Sequence, residues 1–246
     1  MDRAAAAAPS ASPRSPSLAS SRRSFLVSFA HDALPPPGVV RVPQNVKAQA
    51  TECFDATSRF VWEACAPLCQ HICEHPQLVA GKFVVELGAG PAMPSHVAAA
   101  LGARQVVATD GDEGAVAVIR NYLVEQADQP WTERIAAATV RWGNEQHADA
   151  VLEQNQAKPA DVVLCSDLLY GHDAETSANL LATIRRLLGD GDGVCLISYQ
   201  FRDNMLGELD FFERVGDAFE SEGSSLRGGD DEDDDLWLFT LKRKRP

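Results

Sequence analysis

Val84-Val85-Glu86-Leu87-Gly88-Ala89-Gly90-Pro91-Ala92-Met93-Pro94 turns an apolar, β-branched run into a glycine loop and then into the start of a helix. The adjacent valines read as a strand buried on both faces, and Glu86 falls near its carboxyl end. Gly88 and Gly90 let the backbone turn sharply and approach a ligand closely. Strand, glycine loop and helix in that order are how a doubly wound α/β sheet holds a nucleotide. Asp110 ends a second apolar run, Val106 to Thr109, and stands 22 positions past Gly88. A carboxylate about 20 residues beyond the glycines is placed to bind the ribose hydroxyls of an adenine nucleoside.

The dinucleotide pattern G-x-G-x-x-G is not met, because Met occupies position 93. Taken alone, the loop also reads as a strand-to-helix turn with no ligand. Glu86 and Asp110 put two carboxylates at one pocket, which repels a phosphate and suits a ligand with hydroxyls and a positive charge. S-adenosylmethionine is such a cofactor.

Outward from the loop, helical and extended patterns alternate. Helices are expected at Glu63 to Glu74, Ser95 to Leu101, Glu113 to Gln126, Ala174 to Leu188 and Leu206 to Phe219. Strands are expected at Lys82 to Leu87, Gln105 to Thr109, Ala138 to Trp142, Asp161 to Ser166, Val194 to Tyr199 and Leu236 to Leu241. This alternation predicts an α/β fold, a mostly parallel Rossmann-like sheet with helices on both faces. Upstream, Phe25 to Phe29 and Val39 to Val42 flank Pro35-Pro36-Pro37-Gly38 and read as a short hairpin. Residues 1–23 are mostly Ala, Ser, Pro and Arg, with Asp2 as their one acid, and cannot bury enough apolar area to fold alone. The expected organisation is a disordered leader over 1–23 and one domain over 24–246. The leader's composition also describes an organelle transit peptide, the alternative to a cytoplasmic location.

The formal charge of −13 opposes non-specific binding to a polyanion and suits a basic protein partner. Part of that charge lies in the run Asp230-Asp231-Glu232-Asp233-Asp234-Asp235, which reads as a solvated hairpin tip, with a docking site as its alternative. The six cysteines come without a secretory apolar core or a run long enough to span a bilayer, so reduced thiols in a cytoplasmic enzyme are expected. Cys65, Cys69 and Cys73 recur every four residues with His71 and His75 between them. Thiols packing a buried helix face and a soft metal site both fit that spacing. No metal is expected, because zinc ligands usually pair through a C-x-x-C turn. A monomer, with no nucleic-acid or membrane partner, is the expected state.

Ligands of such sheets bind beyond the carboxyl ends of the strands. Four features fall there: the glycine loop with Glu86, Asp110, Trp142-Gly143, and Ser166-Asp167-Leu168-Leu169-Tyr170. Trp142 offers a flat face to an adenine ring, and Trp62 stands where it would cover the cofactor's other side; core packing is the plain alternative for both. Asp167 and Tyr170, three apart after a buried strand, bring a carboxylate and a phenol to one rim. A core aromatic with a wet hydroxyl is the alternative for Tyr170.

From Trp62 to Phe219 these features together resemble the seven-β-strand S-adenosylmethionine methyltransferases, and within them the family 16 protein methyltransferases that include protein-lysine enzymes. The residues that carry the resemblance are Trp62, the E-L-G-A-G of Glu86 to Gly90, Thr109-Asp110, Trp142-Gly143 and the D-x-x-Y of Asp167 to Tyr170. Arg141 to Asn144, Ser166 to His172 and Phe211-Phe212-Glu213 look most like the branch that modifies the amino-terminal end of elongation factor 1A, also labelled nicotinamide N-methyltransferase-like. The resemblance implies that Trp62, Glu86, Gly88, Ala89, Gly90, Asp110, Trp142 and Ser166 contact S-adenosylmethionine, and that Asp167 and Tyr170 handle the acceptor amine. It implies a seven-stranded sheet with an antiparallel carboxyl-terminal strand, and methylation of a protein nitrogen, lysine first. Small-molecule or arginine N-methylation, and cofactor binding without turnover, are the alternatives. Two departures stand out: Pro91-Ala92 replaces the usual small third loop residue, and Tyr170 stands where the elongation-factor branch often has Phe.

Overall fold

The computed structural model describes residues 24–45, 58, 60–169, 173–201, 206–226 and 236–244. The leader, Tyr170 and the acidic run lie outside the described residues. The expected hairpin is present: β1 (Ser24–Ala30) pairs antiparallel with β2 (Val39–Asn45). Val40 and Val42 are buried, so the hairpin docks on the domain through one face.

The main sheet holds β3 (Phe83–Leu87), β4 (Gln105–Asp110), β5 (Ile135–Thr139), β6 (Val162–Ser166), β7 (Val194–Gln200), β8 (Phe219–Ser225) and β9 (Leu236–Arg243). Its order is β5-β4-β3-β6-β7-β9-β8. The pairs from β5 across to β7 are parallel, and β9 runs antiparallel to both β7 and β8. Every residue of β3 is buried, because both faces of the sheet are covered. Val84, Val106, Leu164 and Leu196 pack on one face with α1 (Cys65–Glu74), α2 (Met93–Ala100) and α3 (Glu113–Glu125). Val85, Leu87, Val163 and Ile197 pack on the other with α4 (Glu145–Glu153), α5 (Ala174–Leu188) and α6 (Leu206–Ala218). Each such side chain contributes about 1.5–3 kcal/mol relative to exposure.

The chain leaves β3 through α2 for β4 on one side, and β6 then pairs on the other side of β3. At this switch point the loops after β3 and β6 diverge to opposite faces and leave a crevice at the carboxyl edge. Helix α5 sets one rim of it. Leu180, Leu181, Ile184, Leu187 and Leu188 form its buried stripe, Gly189 ends it with φ +52°, and the Asp173 carboxylate caps it by accepting the Thr176 N–H at 2.8 Å. Asp173→Ala is expected to cost about 1 kcal/mol, roughly 2–4 °C of thermal midpoint in a chain of this size. A thermal scan with no change in midpoint would remove the cap from the account.

Three elements differ from the sequence reading. The third strand of the sheet is β5, Ile135–Thr139, three residues earlier than Ala138 to Trp142. Its pairing with β4 ends where Thr139 faces Asp110, the Val140 N–H still donates to the Asp110 carbonyl, and Gly143 with φ +80° turns the chain away. Trp142 therefore sits in the loop after the strand. Helix α4 was not anticipated, although Asn144 caps it by accepting the His147 N–H. Strand β8 was not anticipated either, because Phe219-Glu220-Ser221-Glu222-Gly223-Ser224-Ser225 lacks apolar alternation and buries only Phe219. It is an edge strand held by pairing with β9, with Phe239 lying across Gly223.

Cys65, Cys69 and Cys73 form a buried thiol stripe on α1, and burial pushes Cys73 up to about 11. Among the described residues no group of three or more His, Cys, Asp or Glu side chains is placed to hold a metal ion. None of the described helices is long and apolar enough to cross a membrane.

Candidate functional site

At the crevice beside β3 lies a cleft of about 420 Å³, the size of a small-molecule pocket. Its lining includes Trp62, Glu86, Gly88, Ala89, Gly90, Asp110, Trp142, Ser166 and Asp167. The fold thus brings together every site residue named from the sequence except Tyr170, which lies outside the described residues.

The floor is the loop after β3. Gly88 and Gly90 take φ of +58° and +49°, a region that side-chain-bearing residues rarely adopt. A Cβ on Gly88 would collide with Leu168, and one on Gly90 would stand 3.0 Å from the Ser58 carbonyl oxygen. Ala92 is also left-handed, at φ +63°, and stands just before α2 without capping it, so the Pro91-Ala92 departure keeps the tight turn at some backbone strain. The Ala89 N–H donates to the Thr109 carbonyl at 2.8 Å, tying the loop to β4.

Two acids meet the floor. The Glu86 side chain is buried and accepts the N–H and the hydroxyl of Ser95 in the first turn of α2. Burial outweighs those bonds and pushes Glu86 up to about 8, with the neighbouring Asp110 adding to the rise. Without a bound cation Glu86 therefore holds its proton at neutral pH, and a cation in the cleft would favour its release. Asp110 is raised as well, mainly by burial, against the N–H groups that bind it. Its Oδ2 accepts the Gly90 N–H and its Oδ1 the Asp112 N–H, both at 2.9 Å. Each oxygen keeps a second lone pair for a hydroxyl.

The rims come from the other strand ends. Ser166 ends β6, and its Oγ is buried without a hydrogen-bond partner among the described residues, a polar atom in want of a ligand. Asp167 follows in the left-handed region at φ +54°, its N–H donating to the Ser198 carbonyl at 2.9 Å. That backbone holds a buried carboxylate against the cleft. Trp142 and Trp62, the latter 40% exposed, both line the cleft, with Phe60 edge-on to Trp62 at 6.2 Å.

The sequence reading missed Ser58, Phe60, Asp112 and Asn179, which also line the cleft. Asp112 was legible as a helix cap: its Oδ1 accepts the Gly114 N–H at 2.7 Å ahead of α3. Ser58 and Asn179 reach the cleft from sequence-distant segments that no local pattern marks. Glycine floor, orphan hydroxyl, two acids and two aromatic faces fit an adenosyl group that carries a positive charge.

A family model described as lysine methyltransferase matches residues 44–218. The protein N-terminal and lysine N-methyltransferase EFM7 of Yarrowia lipolytica is 30% identical over 199 residues, 73% of this chain and 71% of that protein. EFM7 of Eremothecium gossypii is 34% identical over 167 residues, 64% of this chain and 61% of that protein. Among solved structures, a TehB-like SAM-dependent methyltransferase from Corynebacterium glutamicum shares the fold with a TM-score of 0.53 at 16% identity, covering 72% of this chain and 88% of that one. The matched residues run from the end of the hairpin through α6 and carry the whole glycine floor, both acids and the Ser166-Asp167 rim. By its sequence, this chain belongs to the lysine methyltransferase family.

Proposed function

We propose that this chain transfers the methyl group of S-adenosylmethionine to an amine of a basic protein, a lysine side chain or an amino terminus. The observation that carries the reading is the juxtaposition, in one cleft, of a glycine floor with Asp110 and Trp142 and a rim with Asp167. The names of the relatives, which are enzymes for protein N-termini and lysines, supply the acceptor class. The chain's charge of −13 supplies the preference for a basic partner.

Bound S-adenosylmethionine supplies a methyl group on a sulfonium, open to displacement by a neutral amine. The protein must therefore deliver the amine without its proton. For a lysine of ordinary pKa near 10.4, that costs about 4 kcal/mol at pH 7.4. Asp167 draws the ammonium to the rim, the buried surroundings and the nearby positive charge favour its neutral form, and the proton leaves to solvent. Tyr170, by the family resemblance, orients the amine. Asp110 and the glycine loop would hold the adenosyl portion, and Trp142 and Trp62 offer apolar faces to it.

Asp167→Asn keeps a side chain that tolerates the left-handed backbone and removes the charge. With radiolabelled S-adenosylmethionine and cell lysate as acceptor, it is expected to lower incorporation into protein at least about tenfold, the loss of one charge-assisted contact. S-adenosylhomocysteine should still bind with its wild-type affinity. Wild-type incorporation by the variant would take Asp167 out of the mechanism.

A further inference from the structure

Among the described residues, none of the hairpin β1–β2 lines the cleft, yet the hairpin holds one of the cleft's walls. Gln44 on β2 accepts the backbone N–H of Val61 through Oε1 at 3.1 Å. Val61 lines the cleft together with its neighbours Phe60 and Trp62. Val61 packs partly against the core and the Trp62 carbonyl accepts the Cys65 N–H at 3.0 Å, which ties the wall to α1; none of the three is fully buried, so further polar anchors also decide where the wall stands. The inner anchor is Ser58, whose hydroxyl donates to Asp112 Oδ2 at 3.0 Å. From there a continuous chain runs to the floor, since Asp112 and Gly90 both donate backbone N–H groups to Asp110. The outer anchor is Gln44. Its own strand is fastened separately, by the buried Val40 and Val42 and by the Tyr122 hydroxyl, which donates to the Arg41 carbonyl at 2.9 Å.

We propose that Gln44 is a positioning residue for the cofactor: through Val61 it pins the Phe60 and Trp62 wall against the glycine floor, making the amino-terminal hairpin part of the cofactor site. The inference rests on the reading of the cleft as an S-adenosylmethionine site. It differs from a merely structural role for the hairpin, because one acceptor atom on one side chain carries the effect.

Calorimetric titration with S-adenosylhomocysteine separates the cases, using wild type, Gln44→Ala, Gln44→Glu and Leu241→Ala. Gln44→Ala is expected to raise Kd about fivefold, the worth of one neutral hydrogen bond. Gln44→Glu keeps an acceptor oxygen and should restore Kd to within about twofold of wild type. Leu241→Ala removes buried packing on β9, away from the hairpin and the cleft lining, so it should lower the thermal midpoint and leave Kd within about twofold of wild type. Wild-type affinity in Gln44→Ala, no restoration by Gln44→Glu, or equal weakening by Leu241→Ala would each overturn the proposal while leaving the cofactor site intact. No binding by the wild-type chain would instead overturn the cofactor reading itself, and this proposal with it.

Discussion

Replacing Glu86 by Gln is expected to make the cofactor-free protein more stable at alkaline pH, by at most about 5 kcal/mol above pH 8. The sign follows from the folded-state value of about 8, against 4.5 for an unperturbed Glu. Between those pH values the folded chain holds a proton that the unfolded chain has released, so wild-type stability falls as pH rises. The Glu86 contribution is fully present below about pH 4.5 and fully lost above about pH 8. Gln keeps the acceptor that Ser95 needs and never has to ionise in a buried site. Urea unfolding at pH 5 and pH 9 should therefore show a steep fall for the wild type and a flatter profile for the variant. Parallel profiles would mean that Glu86 is ionised in the folded protein at neutral pH.

Asp110→Ala is expected to weaken S-adenosylhomocysteine binding about 100-fold, the worth of one or two hydrogen bonds to a carboxylate. The loss has two sources. The acceptor for the ribose hydroxyls disappears, and the Gly90 and Asp112 N–H groups lose the oxygens that hold the loop and the start of α3 in register. Asp110→Asn keeps one acceptor oxygen and should fall between the two. Calorimetry that finds the alanine variant within about threefold of wild type would contradict the ribose assignment, since a buried pair of charge-assisted bonds cannot be lost so cheaply.

Most of the scaffold was legible because burial on both faces leaves a plain trace. Phe83 to Val85 and Val162 to Cys165 are continuous apolar runs because helices cover both sides of the sheet, and α5 carries its cap, its stripe and its terminal glycine in plain order. The legible trace failed at the edges. β5 is built mainly from half-buried alanines, so the stronger apolar signal of Val140 and Trp142 drew the expected strand past its end. β8 owes its place to a partner across the hairpin and has no pattern of its own. The site divides in the same way. Glu86, Gly88, Gly90, Asp110, Ser166 and Asp167 stand at strand ends, where the fold dictates position, and could be named before any coordinates. The protonation of Glu86 could not, because it depends on how completely α2 and the sheet exclude water. Gln44 and Ser58 were invisible because their partners lie 17 and 54 residues away.

Transfer of a methyl group from this cleft to a protein amine is tested by labelling cell lysate with the purified chain and tritiated S-adenosylmethionine, isolating the labelled species and hydrolysing them to amino acids. The label is expected in protein, released as methyl-lysine or as an α-N-methylated amino-terminal residue, and strongly reduced when Asp110→Ala replaces the wild type. Label recovered only as methylarginine or in a small metabolite, or no label from a chain that binds S-adenosylhomocysteine, would contradict it.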